Sequence, residues 1–176
     1  TRNLVVFKNG MVDLSTDEPV LESHDRKFFN FNTLTYNYNP TATCPKFHEF
    51  LNSLGWDDDQ KKQLFQWVGY LMTGDISLQK FAVFVGKSRG GKGVLTRILT
   101  LLVGQHNTTA PALSALHKDH VLEAMSKASL ITIPDAHNVP YNVRDLVTSV
   151  LKAITKSSPL RLTVNSLGPS HIFGPS

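Results

Sequence analysis

Phe81-Ala82-Val83-Phe84-Val85-Gly86-Lys87-Ser88-Arg89-Gly90-Gly91-Lys92-Gly93-Val94-Leu95 carries three signals in succession. Phe81 to Val85 is a continuous apolar run, the pattern of a strand buried on both faces. Gly86 to Gly93 matches the phosphate-loop pattern G-x-x-x-x-G-K-[ST] at every defined position but the last. An amphipathic helix then runs from about Lys92 to Val103. The chemistry explains the spacing. Glycines let the backbone fold its N–H groups into a nest around a phosphate, and the following helix points its positive end at that anion. Lys92 reaches the outer phosphate oxygens. The pattern therefore predicts nucleotide binding by Gly86, Lys87, Ser88, Arg89, Gly90, Gly91, Lys92, Gly93 and Val94. Gly93 is the departure, because the usual Ser or Thr there gives a hydroxyl to Mg²⁺. Thr96 lies almost a turn further along the helix, points elsewhere and does not replace it.

Working outward, a helical stretch around 119–126 precedes a second apolar strand, Ser129 to Ile133. Asp135 follows it directly, where a carboxylate can hold Mg²⁺ or its water beside the phosphates. A third helix is predicted over about Asn142 to Ile154, then a short β segment from Leu160 to Val164. Strand, helix, helix, strand, helix implies a parallel α/β sheet. Lys152, Lys156 and Arg161 flank the turn before that last segment and are candidate contacts to a nucleic-acid backbone. His117 and His120 are three residues apart, and Cys44 and His48 four apart. Neither pair has a matching second pair, so they form no metal site.

Upstream, Leu4 to Phe7 and Met11 to Leu14 read as a hairpin turning at Asn9-Gly10, with both turn residues at positive φ. The aromatic-rich segment Phe28 to Thr43 is read as edge packing, with base stacking as the alternative. Two helices follow, one opening at Pro45 and carrying Phe47, Phe50, Leu51 and Leu54, the other from about Asp58 to Met72. Asp57, Asp58 and Asp59 complement the dipole of the second helix at its start. The division expected is a mixed hairpin and helical module over 1–78 and the first part of an α/β P-loop core over 79–176.

Composition bounds the rest. The 176 residues are 41% hydrophobic with a net charge of +4, which excludes a disordered chain. One cysteine excludes an internal disulfide framework, and no apolar stretch is long enough for a membrane span. Residues 1–88 carry nine Lys+Arg and ten Asp+Glu, whereas 89–176 carry nine and four. The basic second half suggests a polyanionic partner. Thr1 and the Gly/Pro/Ser finish read as cut ends of a longer intracellular protein.

The chain resembles the C-terminal helicase part of phage and plasmid primase–helicases, in the viral superfamily-three helicase class. The resemblance is carried by Asn3 to Gly10, Asn39 to Phe47, Tyr70 to Asp75 and, most specifically, Gln79 to Leu95. It implies an AAA+-like P-loop core, ATP or another NTP with Mg²⁺ as cofactors, and Lys92 and Asp135 as the residues of phosphoryl transfer. It also implies a homo-hexamer acting on single-stranded or forked DNA, with a primase or polymerase domain in the same chain. The setting would be the cytoplasm of a bacterial or archaeal host. Leu151-Lys152-Ala153-Ile154-Thr155 looks like the start of the motif leading into the DNA-contacting hairpin. The family continues with Gly-Gly-Asp where this chain has Lys156-Ser157-Ser158. The polar sensor residue and the arginine finger are expected beyond Ser176. Two other readings are a P-loop platform without hydrolysis, favoured by Gly93, Pro134 and Lys156-Ser157-Ser158, and a small-molecule kinase, which the N-terminal module counts against.

Overall fold

The computed structural model describes residues 4–16, 18–28, 33–73, 81–116 and 118–133, four helical positions (Asp145, Thr148, Ser149 and Lys152) and the backbone of 161–166. The chain forms two compact units, Thr1–Asp75 and Ile76–Ser176.

The first unit begins with β1 (Leu4–Phe7) and β2 (Gly10–Asp13), antiparallel, with β3 (Leu21–Glu22) added to β2. The register pairs Phe7 with Gly10, so the turn residues are Lys8 and Asn9, one position earlier than the Asn-Gly pattern predicts. Asn9 does not take up positive φ. A long-range demand outweighs the local turn preference: the Asn9 side chain donates to the Tyr38 carbonyl (3.1 Å) and accepts from the Tyr38 amide (2.8 Å). The segment containing Leu34 and Tyr36 thereby runs beside β1, with the Leu34 amide on the Val6 carbonyl and the Lys8 amide on the Tyr36 carbonyl. Both faces of the hairpin are covered. Val5, Phe7, Val12 and Leu34 form one cluster, with Tyr36, Tyr38 and Met72 against it. Leu4, Val6 and Met11 form the other, with Phe28. Tyr36 and Tyr38 lie 5.8 and 5.1 Å from the Phe7 ring, so these aromatics are packed against the strand, which opposes the base-stacking alternative for them.

Helix α1 (Pro45–Ser53) starts at its proline, whose missing N–H and fixed φ suit a first turn. Helix α2 (Asp58–Met72) starts with a capping box. Asp57 accepts from the Gln60 amide at 2.8 Å, and the Gln60 side chain accepts from the Asp57 amide at 3.1 Å. The acidic run is thus a helix start. Leu51 is the buried anchor of α1, and Leu64 and Leu71 are those of α2.

The second unit is a four-stranded sheet in the order β4 (Ala82–Val85), β7 (Arg161–Ser166), β6 (Leu130–Ile133), β5 (Thr108–Thr109). Every pairing in it is parallel. Helices α3 (Lys92–Val103) and α4 (Asp119–Lys127) connect its strands. Ile131 and Ile133 pack with Leu113, Leu116 and Met125, and Val83 of β4 and Phe81 just before it join them. Leu95, Leu99 and Val103 form the buried stripe of α3, which lies beside β6 and β7. The one-turn helix Gln105–Asn107 and the two-residue β5 carry too few apolar residues to register as elements in the sequence. They are held by Asn107, whose side chain donates to the Val103 carbonyl and whose carbonyl accepts from the Ser129 amide. Most of the helix predicted over Asn142 to Ile154 lies outside the described residues. Asp145, Thr148, Ser149 and Lys152 within it are helical.

Leu99 is 1% exposed, and truncating a side chain so enclosed removes its burial and leaves a cavity. Leu99→Ala is expected to destabilise the second unit by about 3 kcal/mol in urea unfolding. A loss below about 1 kcal/mol would mean that the α3 stripe is not packed as described.

Candidate functional site

A parallel sheet brings the C-terminal ends of its strands to one edge, where open α/β sheets take their ligands. Strand β4 ends there at Val85, and the chain runs through Gly86 to Gly91 into α3. Gly91, the residue before α3, has φ 80°, and Arg89 has φ 60°. Arg89 is the one non-glycine with positive φ among the described residues. The Gly90 amide donates to the Lys87 carbonyl at 3.1 Å. A Cβ at residue 90 would lie 2.9 Å from that same carbonyl oxygen, so only glycine closes the turn without a shift.

Lys92 folds back over this turn. Its ammonium donates to the carbonyls of Gly86 (2.7 Å) and Lys87 (2.8 Å). The first turn of α3 has no intrahelical acceptors for its amides, and the first helical bond of the turn runs from the Leu95 amide to the Gly91 carbonyl. Unpaired amides, the positive end of the helix dipole and a lysine ammonium therefore converge on one point. The side chains of Lys87, Ser88 and Arg89 are exposed around it. Such an arrangement can bind an anion of phosphate shape and charge.

Magnesium fits the described part of this site poorly. Gly93 has no hydroxyl, and the Thr96 hydroxyl donates to the Lys92 carbonyl at 3.0 Å. Residues 81–116 contain no Asp or Glu. Among the described residues no three His, Cys, Asp or Glu side chains gather to hold a metal ion. A Cβ on Gly93 would meet nothing within 4 Å, so a side chain there is sterically free. Gly93→Ser is accordingly expected to fold and to gain a few tenths of a kcal/mol from the lost backbone freedom of glycine. Its effect on nucleotide binding should appear only with Mg²⁺ present, and an effect equal in size without the metal would mean that the hydroxyl is not a metal ligand.

The remaining predicted residues fare differently. Asp135, Lys156 and the neighbouring Pro134 lie outside the described residues. Lys152 is helical and exposed. Arg161 opens β7, opposite Leu130 at the start of β6. It is at the N-terminal end of the sheet, about 16 Å of strand away from the loop edge by strand rise. The structure thus separates Arg161 from the edge that carries the Gly86–Gly91 turn.

The last β segment read from the sequence ends at Val164. Strand β7 instead continues to Ser166 and inserts between β4 and β6. Its register sets Asn165 opposite Phe84, two residues before the loop, with Val164 opposite Ile133, the last residue of β6.

Fold and loop together define a mixed α/β protein with two small sheets among the described residues, in which a glycine-rich turn joins a parallel strand to a helix. Residues 1–54 match the family model described as D5 N terminal like, the N-terminal domain of phage and plasmid primase–helicases, which ties the chain to replication proteins. That match ends before the loop. It is to an N-terminal part, and so corrects the expectation that the likeness there is to a C-terminal helicase segment. The uncharacterized mitochondrial protein ymf21 of Marchantia polymorpha is 31% identical over 128 residues, spanning 65% of this chain and 70% of that protein. The chain belongs to the family of that protein. Among the described residues no helix is long and apolar enough to cross a membrane.

Proposed function

We propose that the chain is part of a nucleoside-triphosphate-driven DNA translocase of the superfamily-three type, with Gly86 to Val94 as its phosphate loop. The observation that carries this reading is the Lys92 ammonium drawn over the Gly86 and Lys87 carbonyls at the C-terminal edge of a parallel sheet. An anion entering the turn would replace those carbonyls as the partner of the ammonium. The backbone of Asn165 lies at the same edge, on the neighbouring strand. Asp135 keeps the Mg²⁺ role that the resemblance gives it. DNA would be held at a distance from this edge by the basic group Lys152, Lys156 and Arg161, in a ring of identical subunits associated with a primase or polymerase. The work would take place in whichever compartment holds that DNA, a bacterial or archaeal cytoplasm on the phage and plasmid pattern.

Gly93 favours a second reading, a phosphate-loop platform that binds nucleotide without turning it over. Steady-state ATPase of the purified protein, with and without single-stranded DNA, separates the two. Translocase action predicts DNA-stimulated turnover that falls about 10²-fold or more in Lys92→Ala, by analogy with the loss of one preorganised transition-state donor. Tight ATP binding with no turnover would establish the platform instead, and no binding would remove both.

A further inference from the structure

Triphosphate bound in a loop of this kind ordinarily brings a divalent cation, and a serine or threonine after the lysine helps to hold it. Here Gly93 offers no hydroxyl and the Thr96 hydroxyl is bonded to the Lys92 carbonyl. In compensation the loop carries two further cations. The Lys87 and Arg89 side chains are both exposed on the turn, and the ion pairs among the described residues (Lys27–Asp25, Lys61–Asp58, Lys127–Glu123) include neither. With no carboxylate anywhere in 81–116, nothing in that stretch competes for them. Arg89 holds its place at φ 60°, a conformation that costs most non-glycine residues on the order of 1 kcal/mol. Its guanidinium suits bidentate contact with phosphate oxygens.

Resting on the phosphate-loop reading, we infer that this loop binds nucleoside triphosphate without needing a divalent metal, so that the Mg²⁺ assigned to Asp135 serves turnover and not binding. Lys87 and Arg89 supply the double positive charge that the metal brings elsewhere. Lys92 and the amides of the first turn of α3 fix the position of the phosphates, and the two exposed cations neutralise the outer charge. Because both are solvent-exposed, their contribution is screened by salt. Metal-free affinity should therefore fall steeply with ionic strength.

The test is calorimetric binding of ATP to the purified protein in Mg²⁺ and in EDTA, at low and moderate salt. Wild type should bind in EDTA within about threefold of its affinity in Mg²⁺, and the EDTA affinity should drop with added salt. K87Q/R89Q, chosen to keep polar side chains of similar length, should lose about tenfold or more in EDTA, with an unchanged melting temperature as the folding control. G93S should acquire a preference for Mg²⁺ that the wild type lacks. Binding in Mg²⁺ that vanishes in EDTA would overturn the metal-free inference and leave the phosphate-loop reading intact. EDTA binding indifferent to K87Q/R89Q and to salt would show that these cations are not the counter-charge. No ATP binding under either condition would remove the loop reading and this inference together.

Discussion

Lys92→Ala is expected to weaken ATP binding by about 10²–10³-fold, on the basis of two charge-assisted hydrogen bonds to phosphate. The ammonium already makes two such bonds in the free protein, to the Gly86 and Lys87 carbonyls. Those carbonyls belong to an accessible turn, so water replaces the lysine there and the cost to folding stays small. With triphosphate present, water cannot replace the charge. The loss should accordingly appear in affinity and turnover while the melting temperature moves by no more than a few degrees. The ammonium also braces the turn, so Lys92→Ala should raise amide exchange from Gly86 to Gly91 in the free protein. Titration of ATP into the wild-type and variant proteins, beside a thermal melt, makes the comparison. Equal affinities in a folded variant would remove Gly86 to Gly93 from the site.

Gly10→Ala should be among the most damaging single-methyl additions in the described chain, destabilising the first unit by about 3 kcal/mol. Two constraints coincide. Residue 10 has φ 154°, in the positive region that side chains rarely adopt. Its added Cβ would lie 2.3 Å from the Glu22 carbonyl oxygen and 2.9 Å from a Leu21 methyl. The side chain of Leu21 can move, but the Glu22 carbonyl belongs to β3, whose pairing with Met11 and Val12 closes the sheet. Relief therefore means parting β3 from β2. Urea unfolding followed by circular dichroism should show the midpoint falling by about 1–2 M for a slope typical of a small domain. By contrast Gly93→Ser, at a position open on all sides, should leave the midpoint nearly unchanged. A Gly10→Ala protein as stable as wild type would mean that β3 does not sit against β2 in solution.

Much of the local structure was legible from the residues. Pro45 and the Asp57/Gln60 pair start their helices through bonds made within one turn, and the apolar stripes of α2 and α3 recur at helical spacing. The runs at 82–85 and 130–133, apolar but for the buried Thr132, have the pattern of strands covered by the fold, and it lies within the runs themselves. The glycine-rich turn was legible for the same reason. Its conformation is set by Arg89, Gly90 and Gly91 themselves, and its lysine bonds to carbonyls five and six residues away.

What only the tertiary structure decided involves partners distant in the chain. Asn9 looked like the first residue of an Asn-Gly turn, yet its amide clamps Tyr38, 29 residues on, and the turn moves back by one. Gly10 is demanded by Glu22 and not by the turn. Strand β7 could be read as a segment, but neither composition nor period says that it lies between β4 and β6. That placement sends Arg161 to the far end of the sheet from the loop and brings Asn165 to the loop edge. Helices, caps and tight turns depend on residues within a turn or two of one another, so this sequence specified them alone. Strand order depends on which distant apolar faces are buried together, and that is settled only when the whole sheet assembles.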